Sequence, residues 1–291
     1  MISINTNNGG LFAAKAASQS QAAIDSAMQR LSTGSRINNA RDDAAGQAIS
    51  TRLTAEIQGL EIASRNVADG QSLIDTAEGA LQETHTLLLR MREIGVQAAN
   101  GTLSSSDNEA LDAEFQQLVK EIDRIAQNTT WAGTALLNGD ASGTVDSTVS
   151  LSFQAGVGNN SGNDVFSVTI KNADATTLDI FAANATTATD NDVNLLDQTN
   201  AQTAIGIVDT AIATVSSERA NLGAVSNRMS STMANLDQIR VNLTASQGRI
   251  QDADFAAETS NLAKGQILQQ AATAMLAQAN ASKQQVLTLI R

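Results

Sequence analysis

Chemically active side chains are sparse: one histidine (His85), one tryptophan (Trp131) and no cysteine. His85 could in principle serve as a metal ligand or a general base. Either role needs companions, such as a nucleophile, an orienting group or further ligands, and none stands nearby in the sequence. It lies beside an apolar helical seam and reads as a partly buried polar residue. Zero cysteine excludes thiol catalysis, a disulfide scaffold and Cys-ligated metal sites. Asp190-Asn-Asp192-Val-Asn194 imitates the opening of a calcium loop, but Leu195 stands where glycine is needed and Ala201 where the bidentate glutamate belongs. It reads as acidic loop. Trp131, within Asn128-Thr-Thr-Trp-Ala-Gly133, reads as a helix-end corner anchored by one large ring. Sequons at Asn100, Asn128, Asn159, Asn184, Asn242 and Asn280 are of the kind that arises by chance in an Asn- and Thr-rich chain. No catalytic set, cofactor or metal is expected, and the chain reads as no enzyme.

The elements that must position these residues are governed by what else is missing. The 291-residue chain contains no proline. That suits long helices, because a proline inside a helix loses a hydrogen bond and clashes with the preceding turn. The net charge of −12 argues against nucleic acid or an anionic lipid surface as a partner. It is unevenly placed: Asp140, Asp146, Asp164, Asp174, Asp179, Asp190, Asp192 and Asp197 face Lys171 alone between residues 140 and 200. The ends are nearly free of acids, the first being Asp25 and the last Glu258. An acidic middle reads as solvated surface, and nearly uncharged ends read as something to be covered. The start has no basic region followed by a continuous apolar run, so export without a Sec signal is expected. The uncharged stretch from Gly265 to Ser282 carries too many Gln and Asn residues for a membrane span, and no membrane insertion is expected.

Periodicity places the helices. Leu11 to Leu31 is Ala-rich, with Ile24, Met28 and Leu31 at i, i+4, i+7 spacing, and Gly34 fits just past its end. Residues 35–41 read as a loop, and Asp42 and Asp43 open a second helix, where acids complement the N-terminal dipole. In that helix Ala63, Val67, Gly70, Ile74, Ala77, Leu81, Thr84, Leu88, Met91 and Gly95 form an a/d seam with small residues for close approach. Asn100-Gly101 ends it. Ser106 with Glu109 predicts a capping box for a third helix, with Leu111, Phe115, Leu118, Ile122 and Ile125 as its stripe. After Asn138-Gly139 the period changes. Val145, Val149, Leu151 and Phe153 alternate with polar residues, as do Phe166, Val168 and Ile170, which predicts a hairpin with a long connection. Residues 182–202 read as exposed loop. Heptads return at Ile205, Val208, Ile212, Val215, Leu222, Met229, Met233, Leu236 and Leu243, interrupted by Arg219, Ser226 and Arg240. A last Ala- and Gln-rich helix runs from about Asp252. The fold class expected is mainly α: long coiled-coil-like helices from both chain ends with a small β-hairpin insert.

The terminal helices carry stripes built largely of alanine. Burying a large aliphatic side chain contributes about 1.5–3 kcal/mol, whereas ordering backbone costs about 1–2 kcal/mol per residue. Such ends should be disordered in a monomer and become helical where neighbouring copies supply apolar surface. A head-to-tail contact of this kind can propagate a helical homopolymer.

Particular residues narrow the reading further. The stretch RLSTGSRINNARDDAAGQAI at 30–49 resembles the signature of bacterial flagellins, as do Ala63-Ser-Arg-Asn66, Asp69-Gly70 and Glu78-Gly-Ala-Leu81. At the other end Leu222-Gly-Ala-Val-Ser-Asn-Arg228, Arg249-Ile-Gln-Asp-Ala-Asp-Phe255, Ile267-Leu-Gln-Gln-Ala271 and Leu276-Ala-Gln-Ala-Asn280 resemble it too. The match covers both ends, in order. The resemblance implies a structural subunit of the extracellular flagellar filament, used for swimming, in a minimal form without large outer domains. It implies an inner coiled-coil domain from residues 1–41 and 248–291, a helical-layer domain from 42–139 and 201–247, and a hairpin with an acidic exposed loop over 140–200. Inner-layer assembly would fall to Ile24, Met28, Leu31, Leu262, Leu268, Met275 and Leu276. The helical-layer seam would use Val67, Ile74, Leu81, Leu88, Ile212, Leu222 and Leu236. Implied partners are other copies of the chain, the flagellar type III export apparatus with a chaperone, a filament cap and hook-associated proteins. The vertebrate flagellin-sensing Toll-like receptor is a further implied partner, through Arg90, Ile94, Gln97 and Glu114; Leu89 and Ile94 stand where the family commonly has Gln and Leu. Two rivals are a hook–filament junction protein of the same superfamily and an enzyme displayed on a filament. The closing Val-Leu-Thr-Leu-Ile-Arg291 favours flagellin over the first, and no catalytic cluster supports the second.

Overall fold

The computed structural model describes residues 6–138, 148–160, 162, 164–180 and 193–289, with side chains described as far as Lys283. Among them, helices α1 (Asn8–Thr33), α2 (Ala44–Ala98) and α3 (Ser105–Asn128) precede the strand pairs β1 (Thr130–Trp131) with β2 (Thr134–Ala135) and β3 (Thr148–Gln154) with β4 (Val165–Lys171). Helices α4 (Gln198–Gln251) and α5 (Phe255–Leu289) follow. The expected class, mainly α with a small antiparallel insert, holds. The chain divides into two compact units, one of residues 1–58 with 240–291 and one of residues 59–239. Both divisions fall inside helices, α2 and α4, rather than at loops.

In the unit of residues 59–239 the core combines large aliphatic and aromatic side chains with alanine. All ten residues of the α2 seam, from Ala63 to Gly95, are buried. Leu60 and Ala98 extend the same spacing at its two ends, and Leu73 and Ile94, one residue beside it, are buried too. Helix α2 is therefore covered over a stripe wider than the seam. Its neighbours are α3 (Arg90 to Glu114), α4 (Arg92 to Asp209) and the hairpin, where Asn66 Nδ2 donates to the Gln154 carbonyl. On α3 the buried line is Phe115, Val119, Ile122 and Ala126, while Leu111, Leu118 and Ile125 are half-buried.

The α3 cap sits two residues before the expected one. Ser104, in extended backbone, accepts from the Asp107 N–H, and the Asp107 carboxylate accepts from the Ser104 N–H. The Leu103 N–H closes a turn on the Asn100 carbonyl, so the chain enters the helix early and Ser106 already lies in the first turn. A similar shift occurs at α2. It starts at Ala44, with Asp43 accepting from the Gly46 N–H, while Asp42 accepts from the Asn38 and Asn39 N–H groups and ties the preceding loop. These backbone donors, Asn39 foremost, hold the Asp42 carboxyl below its usual range.

Trp131 is part of a tight hairpin rather than a simple corner. Ala132 (φ 48°) and Gly133 (φ 85°) both have positive φ, as a two-residue turn between β1 and β2 requires. The larger hairpin pairs Val149 with Ile170, Leu151 with Val168 and Phe153 with Phe166, so the apolar residues of both strands share one face. Phe166, Val168 and Ile170 are buried, their β3 partners half-buried, and the Arg228 guanidinium lies 4.1 Å from the Phe166 ring centre. Val145 lies outside the described residues, as do Asp190 and Asp192 of the calcium-loop imitation.

The expected exposed loop at 182–202 needs correction over its described part. Leu195 is fully buried, its N–H is held by Asp112, and Gln116 donates to the Val193 carbonyl. Helix α4 then starts at Gln198, and Ala201 is buried within it. The segment is fastened to α3 because its backbone polar groups meet side-chain partners there.

Candidate assembly surface

The two chain ends form an antiparallel helix pair. Asn7 Nδ2 reaches Asn280 Oδ1 at 3.1 Å, Gln269 Nε2 reaches Gln21 Oε1 at 2.6 Å, and Arg30 meets Glu258 at 2.8 Å. Both ends are helical in this structure, each covering part of the other. The seam explains how so little apolar bulk suffices. On α1 the buried residues are Gly10, Ala13, Ser20, Ile24 and Ala27, and on α5 Gly265 and Ala272 are buried. Ile24 Cγ1 would stand 2.8 Å from a Cβ on Gly265, so the helices approach closely only because that Cβ is absent.

Polar groups close the base of the pair. Gly34 ends α1 in the left-handed conformation at φ 70°, its carbonyl accepting from the Ala253 N–H. The Arg36 N–H donates to the Gln251 carbonyl at 2.6 Å, and its guanidinium donates to that of Ile250. Ser50 Oγ to Gln251 and Gln247 to Thr54 tie the start of α2 to the end of α4. Arg30, then Asn261, hold the buried Glu258 carboxyl below its usual range.

A seam of small residues leaves the large ones outside. Phe12 is 75% exposed, Ile267 and Met275 65% each, and Leu11, Met28, Phe255 and Leu268 are also exposed. Between the helices runs an open groove of about 910 Å³, with Phe12, Ala16, Ala23, Leu268, Ala271 and Met275 among its lining. Of the residues assigned from sequence to inner-layer assembly, Ile24 is buried between the helices. Leu31, Leu262 and Leu276 are half-buried, and Met28, Leu268 and Met275 face outward. Leu11, Phe12, Phe255 and Ile267 were missed. The signal for three of these was adjacency: Leu11-Phe12 and Ile267-Leu268 are neighbours, and helical neighbours cannot share one stripe.

The other seam is internal to the unit of residues 59–239. Val67, Ile74, Leu81 and Leu88 of α2 are buried, as are Leu222 and Leu236 of α4. Ile212 is only half-buried, because the α4 line runs through Ala204, Val208, Ala211 and Val215. Ile205 packs over Gly95, its Cγ1 3.0 Å from where a Cβ would be. Glu218, at a seam position with no apolar side chain, is buried and accepts from the Lys171 N–H. Arg219, read as an interruption, pairs with Glu78 at 2.7 Å.

The four positions assigned to a receptor do not form one exposed set. Arg90, Gln97 and Glu114 are exposed, and Arg90 bridges Glu114 and Glu93 at 2.8 and 3.1 Å. Ile94 is 1% exposed and belongs to the core, since its helix is covered on that face too. It offers no surface for a partner. His85 is half-buried.

Comparison with known proteins decides the family. Residues 4–142 match the bacterial flagellin N-terminal helical region, and residues 205–290 match the bacterial flagellin C-terminal helical region. The chain belongs to the bacterial flagellin family. The flagellin of Halalkalibacterium halodurans is 47% identical, the match covering 91% of each chain. That of Bacillus subtilis is 44% identical over 99% of each. A Vibrio parahaemolyticus chain assigned as a flagellar hook-associated protein shares the fold, with a TM-score of 0.58 at 14% identity over 72% of this chain and all of that one. Flagellins are structural proteins of the filament rather than enzymes, and membership makes this chain a subunit of the extracellular flagellum. No helix among the described residues is long and apolar enough to cross a membrane.

Proposed function

We propose that copies of this chain polymerise into the swimming filament through α1 and α5. The observation that carries it is the exposure of Leu11, Phe12, Phe255, Ile267 and Met275 on two helices whose mutual seam is made of small residues. A second copy seated in the groove covers these side chains, each contributing about 1.5–3 kcal/mol when fully buried. The contact is heterologous, so it propagates instead of closing. The chain reaches the growing tip unfolded through the flagellar type III apparatus with a chaperone, and meets the filament cap and hook-associated proteins there. The test compares full-length monomer with a chain lacking residues 1–41 and 248–291, each added to sheared filament seeds and followed by negative-stain microscopy. Elongation by the first and not the second supports the reading. A full-length chain that never elongates overturns it and moves the junction-adaptor reading ahead.

A second activity, recognition by the vertebrate flagellin-sensing Toll-like receptor, is supported by the exposed Arg90, Gln97 and Glu114, with Arg90 held in place by two carboxylates. Arg90→Ala should lower receptor signalling by the monomer. No signal from the native chain at saturating dose, or an unchanged signal from Arg90→Ala, removes this activity.

A further inference from the structure

Five of the six methionines lie among the described residues, and they fall into contrasting environments. Met91 and Met229 are fully buried and Met233 is half-buried in the unit of residues 59–239. Met28 and Met275 are 50% and 65% exposed, and both belong to the helix pair of the chain ends. Met275 lines the groove beside Phe12 and Leu268. No other side chain in the chain offers comparable redox chemistry: cysteine is absent, and the aromatic complement is one tryptophan and six phenylalanines.

From this placement we propose that Met28 and Met275 are two separate oxidation-sensitive positions whose modification gates assembly, an inference that rests on the polymerisation reading above. The reactant is a peroxide. The thioether sulfur attacks one peroxide oxygen, an S–O bond forms as the O–O bond breaks, and the second oxygen leaves as water after proton transfer. Sulfur gives up an electron pair and the peroxide is reduced. The product, methionine sulfoxide, is polar and chiral where an apolar chain was, and the step is reversed enzymatically by sulfoxide reductases. Free monomer therefore carries reactive sulfur on the surface it uses to polymerise. Burying a sulfoxide without a hydrogen-bond partner opposes that use. Once a subunit is incorporated the same burial shields the sulfur, so the two positions report on unassembled chains.

The test exposes full-length monomer to dilute hydrogen peroxide, quenches it, and maps the products by peptide mass before seeding. Met28 and Met275 should convert well before Met91 and Met229. The converted monomer should need about tenfold higher concentration to elongate seeds, equivalent to about 1.4 kcal/mol. Leucine keeps the volume without the sulfur, so whatever rate Met28→Leu/Met275→Leu sets on seeds should be the same before and after peroxide treatment. Treatment with the sulfoxide reductases for both epimers should restore elongation. Equal conversion of buried and exposed methionines overturns the proposal. So does normal elongation by converted monomer, or undiminished peroxide sensitivity in the double variant. If untreated chain never elongates, the polymerisation reading and the gate fall together. Selective conversion with unchanged elongation sinks the gate alone.

Discussion

Between Gly59 and Ile239 the core mixes alanine with many large, fully buried side chains, Leu73, Ile74, Leu81, Leu88, Met91, Phe115 and Ile122 among them. In the unit built from the chain ends, the buried positions are mostly alanine, glycine and serine, with Ile24, Ile37, Leu53 and Glu258 as the large exceptions. The most exposed large apolar side chains, Leu11, Phe12, Ile267 and Met275, all lie on the terminal helices. One region spends its apolar surface on itself. The other holds together through glycine-permitted close approach and polar ties, and keeps its apolar surface for something else. On the proposed reading stability and assembly rest on different residues, which makes them separable by mutation.

The largest expected effect is a direct test of that separation. Leu88→Ala removes a fully buried side chain and should destabilise the unit of residues 59–239 by about 2–5 kcal/mol, read as a drop in urea midpoint. Met275→Ala should leave that midpoint unchanged and slow elongation on seeds. Equal shifts from the two variants would break the comparison.

Acid should distinguish the units next. Glu258 is held below its usual range chiefly by Arg30, so its folded pKa lies below the unfolded one. Its stabilising contribution is full at neutral pH and is lost as pH falls through the carboxylate range. Helix content of the monomer should fall in that window, and Glu258→Gln should flatten the acid step while leaving the urea midpoint of the other unit in place. A step that persists in Glu258→Gln assigns the acid response elsewhere.

Smaller effects sharpen the picture within the large-residue unit. Ser104→Ala loses the α3 capping box and should cost about 1 kcal/mol, measured by denaturation. Asp123 accepts from the Ala175 N–H, but burial foremost, with Asp174 nearby, raises its carboxyl above the usual range. Its folded pKa then exceeds the unfolded one, and the charged form costs stability as pH rises through it. Asp123→Asn keeps an acceptor and drops the charge. It should give a small gain at neutral pH that vanishes toward pH 4, followed by thermal melts across pH.

Much of this was legible in the chain. The α2 seam from Ala63 to Gly95 follows from a repeating spacing, and a repeat of that kind directs side chains to one side of a helix whatever lies there. Strand alternation likewise set which residues of the larger hairpin share a face, and the paired register of Phe153 with Phe166 agrees with it. Gly34 as a left-handed terminator could be read because so few residues tolerate that conformation. Competing local signals were harder. Ser104 and Ser106 both offer a hydroxyl with an acid three residues on, and the turn from Asn100 to Leu103 chose between them.

Sequence by itself thus determined the helical class, the strand insert, the family and the apolar rhythm of each helix, because these depend on residue type and spacing along one element. Tertiary structure alone decided coverage. It buried Ile94 while leaving Leu89 outside, ran the α4 line through Ala211 instead of Ile212, and gave Glu218 a backbone donor deep in the unit. It also turned Met28, Leu268 and Met275 outward while Ile24 closed on Gly265. Burial is a property of two surfaces meeting, and a period read along one helix carries no record of how many neighbours that helix has.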